Sequence, residues 1–409
     1  MTHYSAIIVG GGQAGLSASY YLQQLDIDHL VLEKHTLTHT WRNQRWDAFC
    51  LVTPNWQCAL PGYPYAGDDP HGFMKKDQII AYLDGFISKV NAPVREGVAV
   101  QRMTARAEGG YLLNTSAGDF SADQVIVASG GYHTPIIPRL AERLPVDIKQ
   151  IHSEQYRNPQ ALPEGAVLVV GSGQSGAQIA EDLHLAGRKV FLAVGDAPRC
   201  ARFYRGRDVV DWLADMGYYD IGVDTHPLRE GVRDNTNHYV TGRDGGRDID
   251  LRRFAHEGMQ LFGRLQTLQG SVLSFASDLG ASLDAADAVY NRINASIDKF
   301  IAEKGIDTPA GVHYEPVWKP EHEETELDLA DSGITSIIWC IGFQPDFSWV
   351  NVPVFNGRSY PGHQRGVTAQ PGLYFLGLPW LHTWGSGRFS GIARDAEYVA
   401  GQLASCLGR

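Results

Sequence analysis

Cysteine is scarce in this 409-residue chain, with five residues: Cys50, Cys58, Cys200, Cys340 and Cys406. No two of them form a CxxC pair and none joins a His cluster at zinc-finger spacing, which argues against a disulfide framework and against a metal site. Positive charge is in deficit as well. Lys and Arg number 35 against 46 Asp and Glu, a formal net charge of −11, so general affinity for nucleic acid or an anionic membrane is not expected. No apolar run reaches the length that crosses a bilayer, and the N-terminus lacks the basic start of a signal peptide. A reducing cytoplasm is therefore the expected setting. Length suggests two or three domains with a substantial core.

Glycine, by contrast, is plentiful at 45 residues, and its placement carries the information. Ala6-Ile7-Ile8-Val9 runs into Gly10-x-Gly12-x-x-Gly15, and an apolar helical pattern follows from Leu16 to Leu25. A buried strand, a glycine turn and a helix N-terminus in that order form an anion site. Gly10 permits the turn, Gly12 lets a pyrophosphate approach the backbone, and Gly15 lets helix and strand pack closely. A second apolar run ends at Glu33, 18 residues beyond Gly15, where a carboxylate accepts a hydrogen bond from an adenosine ribose hydroxyl. The alternative is a solvated Glu at a strand end.

The pattern recurs. Ala166 to Val170 leads into Gly171-x-Gly173-x-x-Gly176 and a helical pattern through Ile179, Leu183 and Leu185. Two such fingerprints in one chain are far more specific than one. The copies differ at one place: 18 residues beyond Gly176 stands Val194, with arginines following at 199, 202 and 205. A missing carboxylate beside guanidinium groups suits a ribose carrying a 2′-phosphate, so the second site favours NADPH over NADH through Arg199 and Arg202. Asp196 opposes that reading, and both arginines are equally readable as plain surface charges.

Between and beyond the fingerprints the chain is uneven. Thr40 to Asp47 and Leu51 to Tyr63 are rich in Trp, Arg and Pro without period, as in ordered loops that carry binding residues. Asp77 is expected to cap a helix carrying Ile79, Ile80, Leu83, Phe86 and Ile87. Val94 to Met103 and Tyr111 to Asn114 are expected as small antiparallel strands, and Ala122 to Ala128 as a buried strand ending at Ser129-Gly130. Ser277 to Glu303 has the apolar stripe of a long amphipathic helix within the least legible stretch, 205–330. Near the end, Leu373 to Leu376 closes on Gly377, and a helix is expected from about Gly391, its positive end suited to an electron-rich ring edge. His382 has no evident partner, and a lone His among aromatics is more often packing than catalysis.

Paired GGGQAG (10–15) and GSGQSG (171–176), joined by ASGGYHTPIIP (128–138), resemble the two-domain flavoprotein monooxygenases, in particular the class B group with YUCCA-like and trimethylamine monooxygenase-like enzymes. His152-Ser153-x-x-Tyr156 is similar to the end of that group's F-x-G-x-x-x-H fingerprint, with Val146 at the Phe position and Ile148 at the Gly position, and Cys340-Ile341-Gly342 replaces its second ATG motif. The stretches 41–65 and 377–391 further resemble a subgroup encoded beside nitrilases in bacterial nitrile or cyanide clusters. The resemblance implies an α/β fold of two Rossmann-like domains: residues 1–160 with 336–409 for FAD, and an inserted 161–335 for NADPH, carrying a partly helical insertion at about 205–330.

By that resemblance FAD is held by Gly10, Gly12, Gln13, Ala14, Gly15, Glu33, Lys34, Trp41, Arg42, Val100, Ala128, Ser129, Gly130, Gly377 and Gly391. NADPH is held by Gly171, Ser172, Gly173, Gln174, Ser175, Gly176, Arg199 and Arg202. Asn55, His382 and Trp384 are the implied catalytic or pocket residues, with O₂ and a small molecule as substrates and a flavin 4a-hydroperoxide as the oxygenating species. N- or S-oxygenation and Baeyer–Villiger insertion are the implied reactions, and a homo-oligomer is compatible. Three readings compete: an oxidase without oxygenation, a disulfide reductase using Cys50 and Cys58, and a flavin-binding redox sensor.

Overall fold

The computed structural model describes residues 2–357 and 360–408. It is an α/β molecule, as expected, built on a ten-stranded sheet of mixed direction and a five-stranded parallel sheet. β1 (Thr2–Val9) is followed by α1 (Gln13–Gln24) and β2 (His29–Leu32), and β1 and β2 pair in parallel from Ala6↔His29 to Val9↔Leu32. Both strands are wholly buried there because helices or a second layer cover each face, which is why their sequences are continuous apolar runs. After the Trp- and Arg-rich loop come α2 (Lys76–Val90) and β3 (Val94–Arg95), which pairs with β2. Next is an antiparallel meander of β4 (Val100–Ala105), β5 (Tyr111–Thr115) and the long β6 (Gly118–Val127).

Val94 to Met103 is thus not one strand. A turn with Gly97 at φ +72° separates β3, in the parallel sheet, from β4, in the meander. Asp77 does not cap α2 either. The helix begins one residue earlier, and Gln78 accepts the Lys75 N–H at 2.9 Å, leaving Asp77 in the first turn.

The second sheet is assembled from β7 (Lys149–His152), β8 (Ala166–Val170), β9 (Val190–Ala193), β10 (Gln260–Phe262) and, far along the chain, β14 (Ile334–Trp339), in the order β7-β14-β8-β9-β10. All pairs in it are parallel. β7 lies before residue 161 and β14 runs across residue 335, so this sheet spans both ends of the stretch 161–335. α3 (Gln174–Leu185) follows β8, packing Ile179 and Leu183 onto Val167, Val169, Leu192 and Ile338. The stretch 205–330 supplies α4 (Val209–Asp215), α5 (Leu251–His256), the small sheet β11 (Leu265–Gln269), β12 (Val272–Phe275) and β13 (Glu326–Asp328), and the expected long helix α6 (Leu279–Lys304).

The chain then returns to the first sheet. β15 (Leu373–Phe375) pairs in parallel with β6, and α7 (Ile392–Cys406) packs its Ile392, Ala396, Val399 and Leu403 into the core shared with α1. Both glycine turns therefore lie at the carboxyl ends of parallel strands, where α/β sheets bind ligands.

Candidate functional site: two glycine cradles and the cleft beside them

At the first turn Gly10 has φ +114°, and a Cβ there would stand 2.6 Å from the Ala128 carbonyl oxygen at the end of β6. A Cβ on Gly15 would stand 1.9 Å from the Gly10 carbonyl oxygen, so only glycine lets α1 sit so close to its strand. On Gly12 a Cβ meets nothing within 4 Å: this is the open side of the cradle, facing the α1 N-terminus. Ala14 is buried, close enough that a Cβ on Gly377 (φ +79°) would be 2.6 Å from it, which ties the end of β15 to the start of α1. Glu33 closes the rim, accepting the Gly11 N–H at 2.7 Å and the His35 N–H at 2.8 Å. A carboxylate has lone pairs left for a ribose hydroxyl. Lys34 beside it is exposed.

Two buried hydroxyls border this cradle without a hydrogen-bond partner: Ser129 Oγ, just past β6, and Thr38 Oγ1, in a residue held at φ +58°. Buried polar atoms are rarely left unmatched, so a polar ligand fits here. Gln13 connects the cradle to its surroundings, its amide receiving the Trp41 indole N–H at 3.3 Å and donating to the Gly387 carbonyl at 3.4 Å. Trp41 stacks on Phe389 with centroids 5.1 Å apart. Gly391 caps α7 in close backbone contact with Gly385.

The second cradle repeats the geometry. Gly171 has φ +101° with a Cβ position 2.6 Å from the Cys340 carbonyl oxygen; a Cβ on Gly176 would be 1.8 Å from the Gly171 carbonyl oxygen; and Gly173 is open, its nearest neighbour the Thr236 methyl at 3.8 Å. Gln174 donates to the Val240 carbonyl at 2.7 Å, while Ser175, like Gln174, opens α3. Ser172 Oγ accepts the Gly195 N–H at 2.9 Å. Over this cradle lies a cavity of about 380 Å³, bounded by Asp196 and Pro198 after β9, by residues 234–238, by Val289 and Arg292 of α6, and by Trp380 and Trp384. That volume is in the range of ligand pockets.

Several expected site residues are used otherwise. Arg199 is 2% exposed and ion-paired to Asp250 (3.2 Å) and Asp287 (3.3 Å), with Tyr290 and Tyr314 stacked on it at 4.4 and 4.0 Å. Arg202 is 1% exposed, paired to Asp208, and donates to the Val52 carbonyl at 2.6 Å. Both charges are buried and already neutralised, so neither can meet a 2′-phosphate. Arg42 is turned onto Asp84 of α2. Val100 pairs with Thr115 in the meander, whereas Val98, two residues earlier, donates its N–H to the Glu33 carbonyl at 2.9 Å. Asn55 is buried with its carboxamide holding a loop, donating to the Asp69 carbonyl at 2.9 Å and accepting the Met74 N–H at 2.7 Å.

Trp384 does line the cavity, with Arg388 over its ring at 3.8 Å and Tyr219 tilted against it at 4.7 Å. His382 is not among the lining residues; its backbone is clamped by Ser386 and Val223, and burial lowers its pKa, so the ring is neutral at neutral pH. Cys50 and Cys58 are both free, and burial pushes their thiols up to about 11 and about 12, the reverse of a reactive dithiol. Among the described residues no group of His, Cys, Asp and Glu is arranged to hold a metal, and no helix is long and apolar enough to cross a membrane.

Sequence reasoning missed Ser172 as a structural acceptor, Thr38, and the cavity-lining segment 234–238. Nothing local marks these, since each matters only through its place beside a cradle distant in the chain or built by it.

The model of the pyridine nucleotide-disulphide oxidoreductase family matches residues 7–208. The uncharacterized oxidoreductase CzcO-like of Geobacillus kaustophilus is 31% identical over 404 residues, covering 97% of both chains. The indole-3-pyruvate monooxygenase YUCCA1 of Oryza sativa subsp. japonica is 29% identical over 192 residues, 46% of this chain and 47% of that one. Among solved structures, the flavin-containing monooxygenase of Stenotrophomonas maltophilia has the same fold at TM-score 0.66 and 19% identity, over 99% of both chains. The bacillithiol disulfide reductase of Bacillus cereus shares the fold at TM-score 0.63 and 14% identity, again over 99% of both. These matches bear out the resemblance to flavoprotein monooxygenases. At its identity to the Geobacillus protein over nearly the full length, the chain belongs to the CzcO-like oxidoreductases.

Proposed function

We propose that this oxidoreductase is an FAD-dependent monooxygenase that draws electrons from NADPH, uses O₂ and oxygenates a small molecule. The observation that carries the reading is the pair of cradles, each sealed at its third glycine and open at its second, of which only the first is followed by an acid. FAD fits the first: Gly12 leaves room for the pyrophosphate, Glu33 for the ribose, and Ser129 and Thr38 offer unmatched hydroxyls. NADPH fits the second, where Val194 stands in place of the acid and Arg292 is the cation lining the cavity. Bound flavin would supply hydride acceptance and O₂ activation.

The chain's own part is to bind, orient and keep water out. Gln13 locks Trp41 against the loop that carries Phe389, which walls the first cradle with aromatic surface. Trp384 and Tyr219 close the side toward the second cradle. Excluding water there protects reactive oxygen species from wasteful discharge. N- or S-oxygenation and Baeyer–Villiger insertion all suit such a chamber. The resemblance to the nitrilase-adjacent subgroup makes nitrile-related compounds early candidates. A cytoplasmic setting and a homo-oligomer belong to the same proposal.

The test is rapid mixing of the NADPH-reduced yellow protein with O₂, with product analysis. Substrate oxygenation stoichiometric with NADPH supports the reading. Immediate release of all reducing equivalents as hydrogen peroxide, whatever compound is offered, makes the protein an oxidase or a sensor.

A further inference from the structure

Two guanidinium groups beside the first cradle have no counter-charge among the described residues. Arg45 lies over the rings of Trp41 (5.1 Å) and Phe49 (5.5 Å) and donates a hydrogen bond to the Gln44 carbonyl at 2.9 Å. Arg388 stacks on Trp384, donates to the Asn237 side-chain oxygen at 2.8 Å and bonds the Trp384 carbonyl. Both are half-buried, and the ionisable groups that face them are phenols: Tyr132 for both, with Tyr218 and Tyr219 also at Arg388. Among the described residues neither forms an ion pair with a carboxylate, in contrast to the neutralised Arg199 and Arg202.

The two groups belong to one surface. Arg45 covers Trp41, Trp41 stacks on Phe389, Phe389 follows Arg388, and Gln13 bridges Trp41 to Gly387. Withdrawing a cation from water without a partner is costly, so a half-buried unpaired arginine is best understood as awaiting an anion. Planar guanidinium forks match carboxylates in two-point geometry and stack on aromatic faces, as both do here. Burial lowers Arg45 to about 10, which still leaves it charged at neutral pH. Dinucleotide phosphates have their own seats on the two helix N-termini.

We propose that Arg45 and Arg388 hold the carboxylate of the substrate, so that the small molecule oxygenated is an organic acid. The proposal rests on the monooxygenase reading for the ligand's being a substrate, but the anion site is testable by binding alone.

The experiment is calorimetric titration of the flavin-loaded, NADP⁺-bound protein with two matched pairs: phenylpyruvate against phenylacetone, and hexanoate against hexanamide. In at least one pair the acid is expected to bind ~10-fold or more tightly than its neutral counterpart. Arg45→Gln and Arg388→Gln should each erase most of that preference while flavin content and NADP⁺ affinity hold. Arg45→Lys and Arg388→Lys, which keep the charge, should restore part of it and stand in should a Gln variant fail to fold. Equal binding of acid and neutral member in both pairs, or no binding of either acid, overturns the proposal. So does a Gln or Lys variant that folds but loses flavin or NADP⁺, since the anion would then be a nucleotide phosphate. Charge-selective binding together with release of all reducing equivalents as hydrogen peroxide, whatever compound is offered, would leave the anion site standing and sink the monooxygenase reading instead.

Discussion

In the first cradle the N–H of the turn residue Gly11 points to a side chain at the strand end, Glu33; in the second, the N–H of the strand-end residue Gly195 points to a side chain in the turn, Ser172. The same gap between turn and strand is bridged in opposite directions. Glycine at 11 leaves room for this approach: a Cβ there would lie 2.5 Å from the end of the Leu37 side chain and 3.0 Å from the Glu33 Cβ. Ser172 is free to carry its hydroxyl because the strand end opposite it offers only backbone. A carboxylate on the rim selects a hydroxyl-bearing ribose, and a neutral rim accepts other ribose chemistry. Two backbones with nearly identical demands thus acquire different ligand preferences from one bridging side chain each.

The sharpest way to break this comparison is to fill each open side. Gly12→Val and Gly173→Val add a side chain where the nearest protein atom is absent or 3.8 Å away, so both variants are expected to fold. Gly12→Val should purify colourless, while Gly173→Val should stay yellow and lose reduction by NADPH. Absorbance and anaerobic reduction rates read both, and the opposite pattern reverses the assignment of the sites. Next in size is Arg199→Leu. Removing this guanidinium leaves Asp250 without its cation, while Asp287 keeps Arg252 at 2.8 Å, at a cost of about 3 kcal/mol in denaturant unfolding. The NADPH-to-NADH preference should not move, and a change there would return Arg199 to the nucleotide site.

Arg199 also shows where sequence stops being informative. Its distance from Gly176 suggested a phosphate ligand, yet its partners lie far along the chain, Asp287 and Tyr290 on α6 and Asp250 and Tyr314 in stretches with no readable period. The parallel cores of the two sheets were legible because strands covered on both faces are uninterrupted apolar runs ending in glycine. α6 was legible because its single apolar stripe recurs over 26 residues. The short helical turns and three-stranded sheet around it were not, being fixed by contacts across the chain rather than by local pattern. That the second sheet spans positions 160 and 335 was hidden for a related reason. β7 and β14 are individually ordinary apolar strands, and only their pairing assigns them to the second sheet. Arg45 and Arg388 come together only through the return of the chain to the first sheet.

The bridging side chains themselves give a smaller, graded test. Glu33→Ala deprives the Gly11 and His35 N–H groups of a charged acceptor, which is expected to cost about 2 kcal/mol, since bonds to charged groups contribute about 1.5–3 kcal/mol. Ser172→Ala removes one neutral acceptor from Gly195, at about 1 kcal/mol. Urea midpoints of the ligand-free variants check both values. Equal losses would mean that charge at the first rim contributes nothing to the fold and serves binding alone.

The finest test concerns protons. His238, in the segment that borders the second cradle's cavity, has its pKa lowered to about 4, chiefly by burial and then by Arg292. An unfolded histidine titrates near 6.5, so between about 6.5 and about 4 the unfolded chain binds this proton first. Its contribution to stability is complete above about 6.5 and is lost as the pH falls through that window. His238→Gln should flatten this part of the stability profile. A dinucleotide phosphate entering the cavity would act the other way, its negative charge favouring the protonated ring. NADP⁺ binding should then take up a fraction of a proton near pH 6, visible as a binding enthalpy that shifts with the buffer's ionisation enthalpy and becomes buffer-independent in His238→Gln. FAD binding at the first cradle should show no such His238-dependent uptake. If it does, the cavity over Gly173 serves the flavin, and the assignment of the two cradles is reversed.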